Sequence, residues 1–196
     1  EKEKRARGDF QFAQAKLGDN WDTQHNAIAN LLKTVATETS AKVKFSREAV
    51  EVGSAALQKY PFLYMTGHHD FVFSDTEIAS LKRFIRSGGF VLGSPCCGSL
   101  EFDKAFRREM ARVLPGNELK TLNGAHPVYH ILNDISVVQY SSYVQRTGEI
   151  GPALPLEGIT LGAVTPVIYC PYGLGGGWRG FDHPYAYLNH DILREG

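Results

Sequence analysis

Two short segments, each of which follows an apolar run, carry reactive side chains. One contains imidazole and carboxylate groups, and the other contains two thiols. The first segment is Gly67-His68-His69-Asp70, and the second is Pro95-Cys96-Cys97-Gly98. A thiol becomes a nucleophile when a neighbouring histidine removes its proton or when a helix N-terminus lowers its pKa. We therefore predict that either cysteine is a nucleophile and either histidine its base, with Cys96, Cys97 and His68 as the preferred catalytic residues.

The cysteine segment has the pattern Ser94-x-Cys96-x-Gly98, which loosely resembles the strand–turn–helix elbow that exposes a nucleophile. Its small residues allow a sharp bend, whereas Pro95 restricts one. The alternative is that Cys96 and Cys97 are small apolar residues that pack behind a helix. A strained disulfide between them is a further alternative, although two free thiols are the expected state.

The same side chains include the ligand types that zinc prefers, and His126 adds another imidazole. Only His126-x-x-x-His130 has a spacing that would place two imidazoles on one helical face, and Pro127 permits a helix to start there. Because hydrogen-bonded loop histidines explain the pattern better, we assign no metal ligand and expect no cofactor. We predict four ligand-binding residues beside the thiols: Trp21, His69, Asp70 and His126.

The elements that must position these segments alternate along the chain. Apolar or alternating runs predict strands at 10–17, 60–66 and 90–94, with a shorter strand at 43–45. Apolar residues with helical spacing predict three helices between and after these strands, one of which begins at a capping box formed by Ser74 and Glu77. The other two helices are predicted around 27–35 and over 100–113.

This alternation predicts one α/β domain over residues 1–196, with a mostly parallel sheet and helices on both faces. The carboxyl ends of parallel strands share one edge, where ligands bind. Asp19-Asn20-Trp21 follows the first strand, so it should meet the histidine and cysteine segments there. Residues 47–58 are expected to form a partly helical crossover, and two strands at 159–161 and 166–170 to be joined by a turn.

Composition disfavours several classes of function. The 21 basic residues are balanced by 21 acidic ones, which argues against a nucleic-acid partner. No apolar run approaches the roughly 20 residues that a membrane span needs. The charged segment 1–8 is expected to be flexible, and no apolar segment of a secretory signal follows it.

Gly175-Gly176-Gly177 lacks the lysine and hydroxyl of a phosphate-binding loop, so we expect it to let Tyr172 and Trp178 fold over the domain. Alternatively, this segment is an exposed contact of a scaffolding module.

Five groups of residues resemble one bacterial family of unknown function. They are Tyr60–His68, Leu81-x-x-Phe84 with Gly88-Gly89-Phe90, Phe102–Glu109, His126-Pro127, and Val167–Tyr172 with Gly177-Trp178. The resemblance covers about residues 9–190. That family is assigned to the class I glutamine-amidotransferase-like superfamily, near the trehalose-utilisation-like proteins. The resemblance implies a flavodoxin-like three-layer sandwich and, because members often carry export signals, a periplasmic or extracellular location.

Glutamine hydrolysis in that superfamily requires a Gly-x-Cys-x-Gly elbow and a late His-x-Glu pair. Here Ser94 replaces the first glycine, and no histidine after the elbow has a glutamate two residues later. The resemblance therefore implies a domain without a complete Cys-His-Glu triad, which binds a small ligand or a protein partner at the carboxyl edge of the sheet. The alternative is a cysteine- or metal-dependent hydrolase that uses the same cluster.

Overall fold

The computed structural model describes residues 10–23, 25–138 and 152–178 of the chain. The segment 1–8, for which we predicted flexibility, lies outside these ranges, as does the chain beyond Trp178.

Seven strands form one sheet within the described residues. Their bounds are β1, Phe10–Lys16; β2, Val43–Glu51; β3, Phe62–Met65; β4, Phe90–Gly93; β5, Lys120–Thr121; β6, Glu157–Leu161; and β7, Val164–Tyr169. In space they follow the order β2-β1-β3-β4-β7-β6-β5. Pairing is parallel from β2 across to β7, and antiparallel in the last two steps. The predicted α/β fold with a mostly parallel sheet is confirmed.

Four helices accompany the strands in the described part of the chain: α1, His25–Glu38; α2, Asp75–Arg86; α3, Leu100–Val113; and α4, Leu174–Trp178. The capping box predicted at Ser74 and Glu77 starts α2. Gly88 follows the end of that helix with a φ of 92°, a conformation that glycine adopts without strain. No helix of the described ranges has both the length and the apolar character needed to cross a membrane.

Each face of the sheet is covered by its own helices, because successive strand residues point to opposite faces. Phe12 of β1 and Tyr64 of β3 pack in one cluster with α1 and with Trp178 of α4. Ala13 and Leu63, their neighbours in sequence, belong to the cluster formed with α2 and α3. The domain is therefore a three-layer sandwich, with the sheet between two helical layers.

One edge strand differs from the sequence-based prediction. A strand was predicted only at 43–45 and a partly helical crossover at 47–58, whereas β2 continues to Glu51 and a short 3₁₀ helix occupies Ala55–Lys59. Because β2 is an edge strand that is mostly exposed or half-buried, its residues show no hydrophobic alternation. Parallel hydrogen bonding to β1 defines it instead.

The C-terminal part of the described chain also differs in detail. The predicted strands at 159–161 and 166–170 correspond to β6 and β7, and Gly162 turns between them with a φ of 65°. Gly175-Gly176-Gly177 lies within helix α4 and is not a loop. Trp178 is buried, and its ring centroid lies 5.2 Å from that of Tyr64. The prediction that this segment folds over the domain is confirmed, and the alternative of an exposed contact at Trp178 is wrong.

Replacing Gly93, the last residue of β4, should destabilise the domain. A Cβ atom there would lie 2.4 Å from the Phe106 ring and 2.9 Å from the Tyr169 ring, and these two rings stack at 4.4 Å between centroids. We expect Gly93→Ala to lower the free energy of unfolding by about 1–3 kcal/mol in urea denaturation, because overpacking strains a close-packed core.

Gly124→Ala is the matched control for that experiment. Its added Cβ atom would meet only the end of the Leu154 side chain, at 3.3 Å. The change in stability should therefore stay within about 0.5 kcal/mol. Equal effects of the two substitutions would contradict the packing of Phe106 against β4.

Candidate functional site

His68 and Asn20 meet where the connections of the sheet diverge. The chain leaves β1 for β2 on one side, while β3 continues to β4 on the other, so the carboxyl ends of β1 and β3 lie where open α/β sheets commonly bind ligands. Asn20 follows β1 and His68 follows β3, and His68 Nδ1 lies 2.6 Å from Asn20 Oδ1. An amide oxygen only accepts hydrogen bonds, so Nδ1 donates and the neutral ring keeps its lone pair on Nε2.

The loop that carries Asn20 is anchored to β1 and β2. Gln14, a buried residue of β1, donates from Nε2 to the carbonyl oxygen of Trp21 at 2.7 Å. The Arg47 guanidinium of β2 donates to Gln14 Oε1 at 3.1 Å and pairs with the Asp22 carboxylate. The same guanidinium lies 5.2 Å from the centroid of the Trp21 ring. Asn20 is thereby held in place against His68.

Cys96 and Cys97 occupy the turn between β4 and α3. Cys96 is buried, whereas Cys97 is partly exposed. Cys97 has a φ of 54° and a ψ of 25°, and Gly98 follows with a φ of 70°. Residues other than glycine, asparagine and aspartate rarely adopt this left-handed backbone conformation. The bend places Cys96 Sγ and Cys97 Sγ 3.5 Å apart, although adjacent residues in a helix or strand point in different directions.

Hydrogen bonds from neighbouring strand ends fix this turn. The Cys96 N–H donates to the Gly67 carbonyl oxygen at 2.9 Å, next to His68. Ser94 Oγ donates to the Tyr172 carbonyl oxygen at 2.8 Å and accepts from the Leu174 N–H at 2.9 Å. Ser94 thus has a structural role, since it ties the end of β4 to the segment after β7.

Two further contacts hold the turn closely. A Cβ atom on Gly173 would lie 3.0 Å from the backbone nitrogen of Cys97, so the segment after β7 passes directly against the cysteine turn. Ser99 Oγ donates to the carbonyl oxygen of His68, and it also accepts from the Phe102 N–H to cap α3. The histidine loop, the cysteine turn and the start of α3 therefore form one connected unit.

The three preferred catalytic residues lie together. One ring nitrogen of His68, Cys96 Sγ and Cys97 Sγ are all within 4.8 Å of one another, and we call this group the His68–Cys96–Cys97 cluster. Partial burial, with a smaller effect of the neighbouring His69 ring, lowers the pKa of His68. A neutral imidazole and two adjacent thiols can remove a proton or bind a soft metal ion. No disulfide joins the two cysteines.

The predicted ligand-binding residues do not all join this cluster. Trp21 lies under Arg47, and the exposed His69 has Nδ1 3.6 Å from Glu101 at the start of α3. Asp70 pairs with Arg108 of α3 at 2.9 Å. Their part in ligand binding stays a prediction.

The two later histidines make separate contacts. His126 Nε2 lies 3.0 Å from Thr165 Oγ1 on β7, while His130 Nδ1 lies 2.8 Å from Asp134 Oδ1. A single 3₁₀ turn at Pro127–Tyr129 separates them, so the helix needed for paired imidazoles does not form there. Neither histidine belongs to the group of described residues whose ligand atoms converge.

The loop after His68 is anchored to α3 by a buried carboxylate. Glu109 is fully buried, and its Oε2 accepts from the Phe73 N–H at 3.1 Å. Arg108 and Arg112 both pair with the same carboxylate, at 2.7 Å and 2.5 Å. A buried charge requires such partners, so this network supports the backbone that presents His68.

Asn20 is the site residue that the sequence analysis missed. The segment Asp19-Asn20-Trp21 was expected at this edge, but the aromatic Trp21 was selected as the ligand-binding residue. The useful signal was the position of an amide directly after β1, opposite a histidine directly after β3. Only the parallel register of β1 and β3 shows that the two side chains meet.

Comparison with known protein families places most of the chain in one family. Residues 11–191 match the family model described as a domain of unknown function, DUF4159. That description gives neither a reaction nor a ligand. No curated protein matches the chain.

Two histidines of the protein should have pKa values on opposite sides of the ordinary histidine value. Burial lowers the pKa of His68, while the hydrogen bond to Asp134 raises the pKa of His130. NMR titration of the ring protons in reduced, metal-free protein should therefore show His68 losing its proton at a lower pH than His130.

The lowered pKa of His68 also affects the stability of the folded protein. The unfolded chain takes up the His68 proton at the ordinary pH of about 6.5, above the pKa in the folded protein, so this group makes folding less favourable as the pH falls below that value. Coincident titration of His68 and His130 would contradict the partly buried position of His68.

Proposed function

We propose that this chain, which belongs to the DUF4159 family of domains of unknown function, binds a carbonyl compound at the carboxyl edge of its sheet and hydrolyses it through a cysteine thiol. The observation that supports this is the position of His68, whose Nδ1 contacts the Asn20 amide oxygen and which has a ring nitrogen within 4.8 Å of the two cysteine sulfurs. Nucleophile, base and orienting amide are the three parts of a cysteine-hydrolase site.

Cys97 is the better nucleophile of the two. It is partly exposed, whereas Cys96 is buried. Cys97 also lies three residues before the first residue of α3, a helix of 14 residues whose N-terminus favours negative charge nearby. The left-handed backbone at Cys97 resembles the strained turns that present nucleophiles at strand–helix junctions.

The chemistry requires no group beyond the substrate and water. His68 Nε2 takes the proton of the Cys97 thiol, and the sulfur attacks the carbonyl carbon of an ester or amide. The tetrahedral intermediate collapses to a thioester, and the leaving alcohol or amine departs with the proton from His68. Water then attacks the thioester, gives a proton to His68, and releases the acid while the thiol is restored. The separation of up to 4.8 Å in the free protein shortens when substrate is bound, as is common for catalytic hydrogen bonds.

The rim of the site suggests what the substrate carries next to its carbonyl group. Leu100, the first residue of α3, is 72% exposed. Glu101 follows it in sequence and forms an exposed pair with His69. An apolar group with a neighbouring polar group fits this surface. Glutamine is a poor candidate, since the chain lacks the His-x-Glu pair that the resemblance would require.

Acylation by a generic ester tests the proposal. Reduced, chelator-treated protein is mixed with p-nitrophenyl acetate, and release of nitrophenol is followed together with the mass of the protein. We expect one acetyl group on Cys97, and a reduction of the acylation rate by roughly 10²-fold or more in His68→Ala, the size of a general-base contribution. Cys97→Ser should abolish the thioester.

Cys170 provides an internal control in the same experiment. It is fully buried, and burial raises its pKa to about 12. Its peptide should stay unmodified by the ester and by iodoacetamide until the protein is unfolded. If Cys97 reacts no faster than it does in the urea-unfolded chain, the catalytic proposal fails and a ligand-binding site without turnover is left.

Asn20 should act as a positioning residue for His68. Asn20→Ala removes the acceptor for Nδ1, and we expect acylation to slow by roughly 10-fold to 100-fold as the ring loses its orientation. Asn20→Asp keeps an acceptor oxygen, so it should restore most of the rate and raise the pKa of His68, measured by NMR. If Asn20 had only a structural role, Asn20→Ala and Asn20→Asp should reduce the acylation rate equally.

A further inference from the structure

We infer that His68, Cys96 and Cys97 also form a binding site for one thiophilic divalent cation, with zinc as the best-matched ion. The sequence analysis assigned no metal ligand, because hydrogen-bonded loop histidines explained the pattern better. The structure adds the convergence of three ligand atoms within 4.8 Å and the hydrogen bond to Asn20 that orients the imidazole. The inference depends on the geometry of the cluster, and it holds whether or not the site hydrolyses a substrate.

The distances between the three ligand atoms would let a single ion bind after small movements of the side chains. Two sulfur ligands, each about 2.3 Å from zinc at a tetrahedral angle, lie roughly 3.8 Å apart. Cys96 Sγ and Cys97 Sγ are 3.5 Å apart, and the histidine nitrogen completes the group within 4.8 Å. A shift of roughly 1 Å in side-chain position is enough to bring all three atoms to ligand distance.

A metal site accounts for one feature of the Cys97 turn that a nucleophile alone does not require. A thiol nucleophile needs one cysteine, yet the left-handed turn directs two adjacent sulfurs to the same point. A non-glycine residue in this conformation is strained, and such strain is retained at functional sites. Bidentate binding by Cys96 and Cys97 uses both sulfurs.

Asn20 supplies the outer contact that a metal-binding histidine normally has. Histidine ligands donate their second ring N–H to a carbonyl or carboxylate oxygen, which fixes the tautomer and the ring orientation. His68 Nδ1 makes this contact with Asn20 Oδ1 at 2.6 Å, and it leaves Nε2 for the ion.

Charge and ligand chemistry select the class of ion. Two thiolates neutralise a dication, so the loaded cluster is neutral and suits the buried position of Cys96. Sulfur and nitrogen ligands favour zinc, cadmium or cobalt over calcium and magnesium, which prefer oxygen. Three protein ligands leave a fourth position open to water or a further ligand, as in zinc sites made from two cysteines and one histidine.

Metal binding and the acylation reaction compete, because both need the lone pairs of His68 Nε2 and Cys97 Sγ. A bound ion occupies His68 Nε2 and both sulfurs, so the metal-loaded protein cannot acylate Cys97. Zinc would therefore inhibit the proposed hydrolase and protect its thiols.

Cobalt titration tests the site directly. Reduced, metal-free protein is titrated with Co²⁺, and the near-ultraviolet thiolate-to-cobalt absorption and the visible bands of tetrahedral cobalt are recorded. We expect saturation at one ion per chain, displacement by one equivalent of Zn²⁺, and release of thiol protons as the ion binds. Absence of the thiolate band in folded protein would overturn the inference.

Variants assign the ligands, with controls from the same chain. Cys96→Ser, Cys97→Ser and His68→Ala should each weaken binding by at least 10-fold, and Asn20→Ala should weaken it by roughly 10-fold to 100-fold as an outer contact. Cys170→Ser and His130→Ala should leave the spectrum and the affinity unchanged. Unaltered binding in Cys97→Ser would place the ion elsewhere and overturn the site.

A second measurement does not depend on how the variants fold. In the wild-type protein, Zn²⁺ should protect Cys96 and Cys97 from iodoacetamide, and a chelator should reverse this. Protein that binds cobalt but is never acylated in chelator supports the metal site without the hydrolase. Protein that is acylated but shows no thiolate band supports only the hydrolase.

Discussion

The parallel pairing of β1 with β3 is the constraint on which the site depends. It brings the residues after both strands to one edge of the sheet, at the point where the chain connections leave in opposite directions. Asn20 and His68 then face each other at 2.6 Å, and their hydrogen bond decides which ring nitrogen keeps the lone pair. Both proposed activities, proton transfer and metal binding, need that lone pair on Nε2.

The cysteine turn adds the reactive groups, and the fold around it maintains its conformation. A left-handed cysteine persists only where the surroundings fix it. Here the Cys96 N–H is bonded to the end of β3, and Ser94 is bonded to the segment after β7. Gly173 lies so close to the turn that a side chain there would clash with the backbone of Cys97. The carboxyl ends of β3, β4 and β7 thus cooperate to hold two sulfurs beside His68.

The sequence predicted elements better than it predicted contacts. Apolar spacing predicted both ends of α3 and the capping box predicted the start of α2, because a helix is defined by interactions three and four residues apart. β2 was predicted too short because an edge strand takes its hydrogen bonds from β1 and carries little hydrophobic signal. The distant partners of Trp21, Asp70 and His126 likewise had no local signal.

The sequence by itself determined the α/β class, the strands and helices with strong periodicity, and the presence of His68, Cys96 and Cys97 just after strands. These features are local, so residue types and short spacings specify them. Only the tertiary structure decided that Asn20 orients His68, that the backbone of Cys97 turns both sulfurs together, and that His126 lies elsewhere. Those outcomes depend on strand order and on packing between residues that are distant in sequence, such as Ser94 and Leu174, which lie 80 positions apart, and no local pattern encodes them.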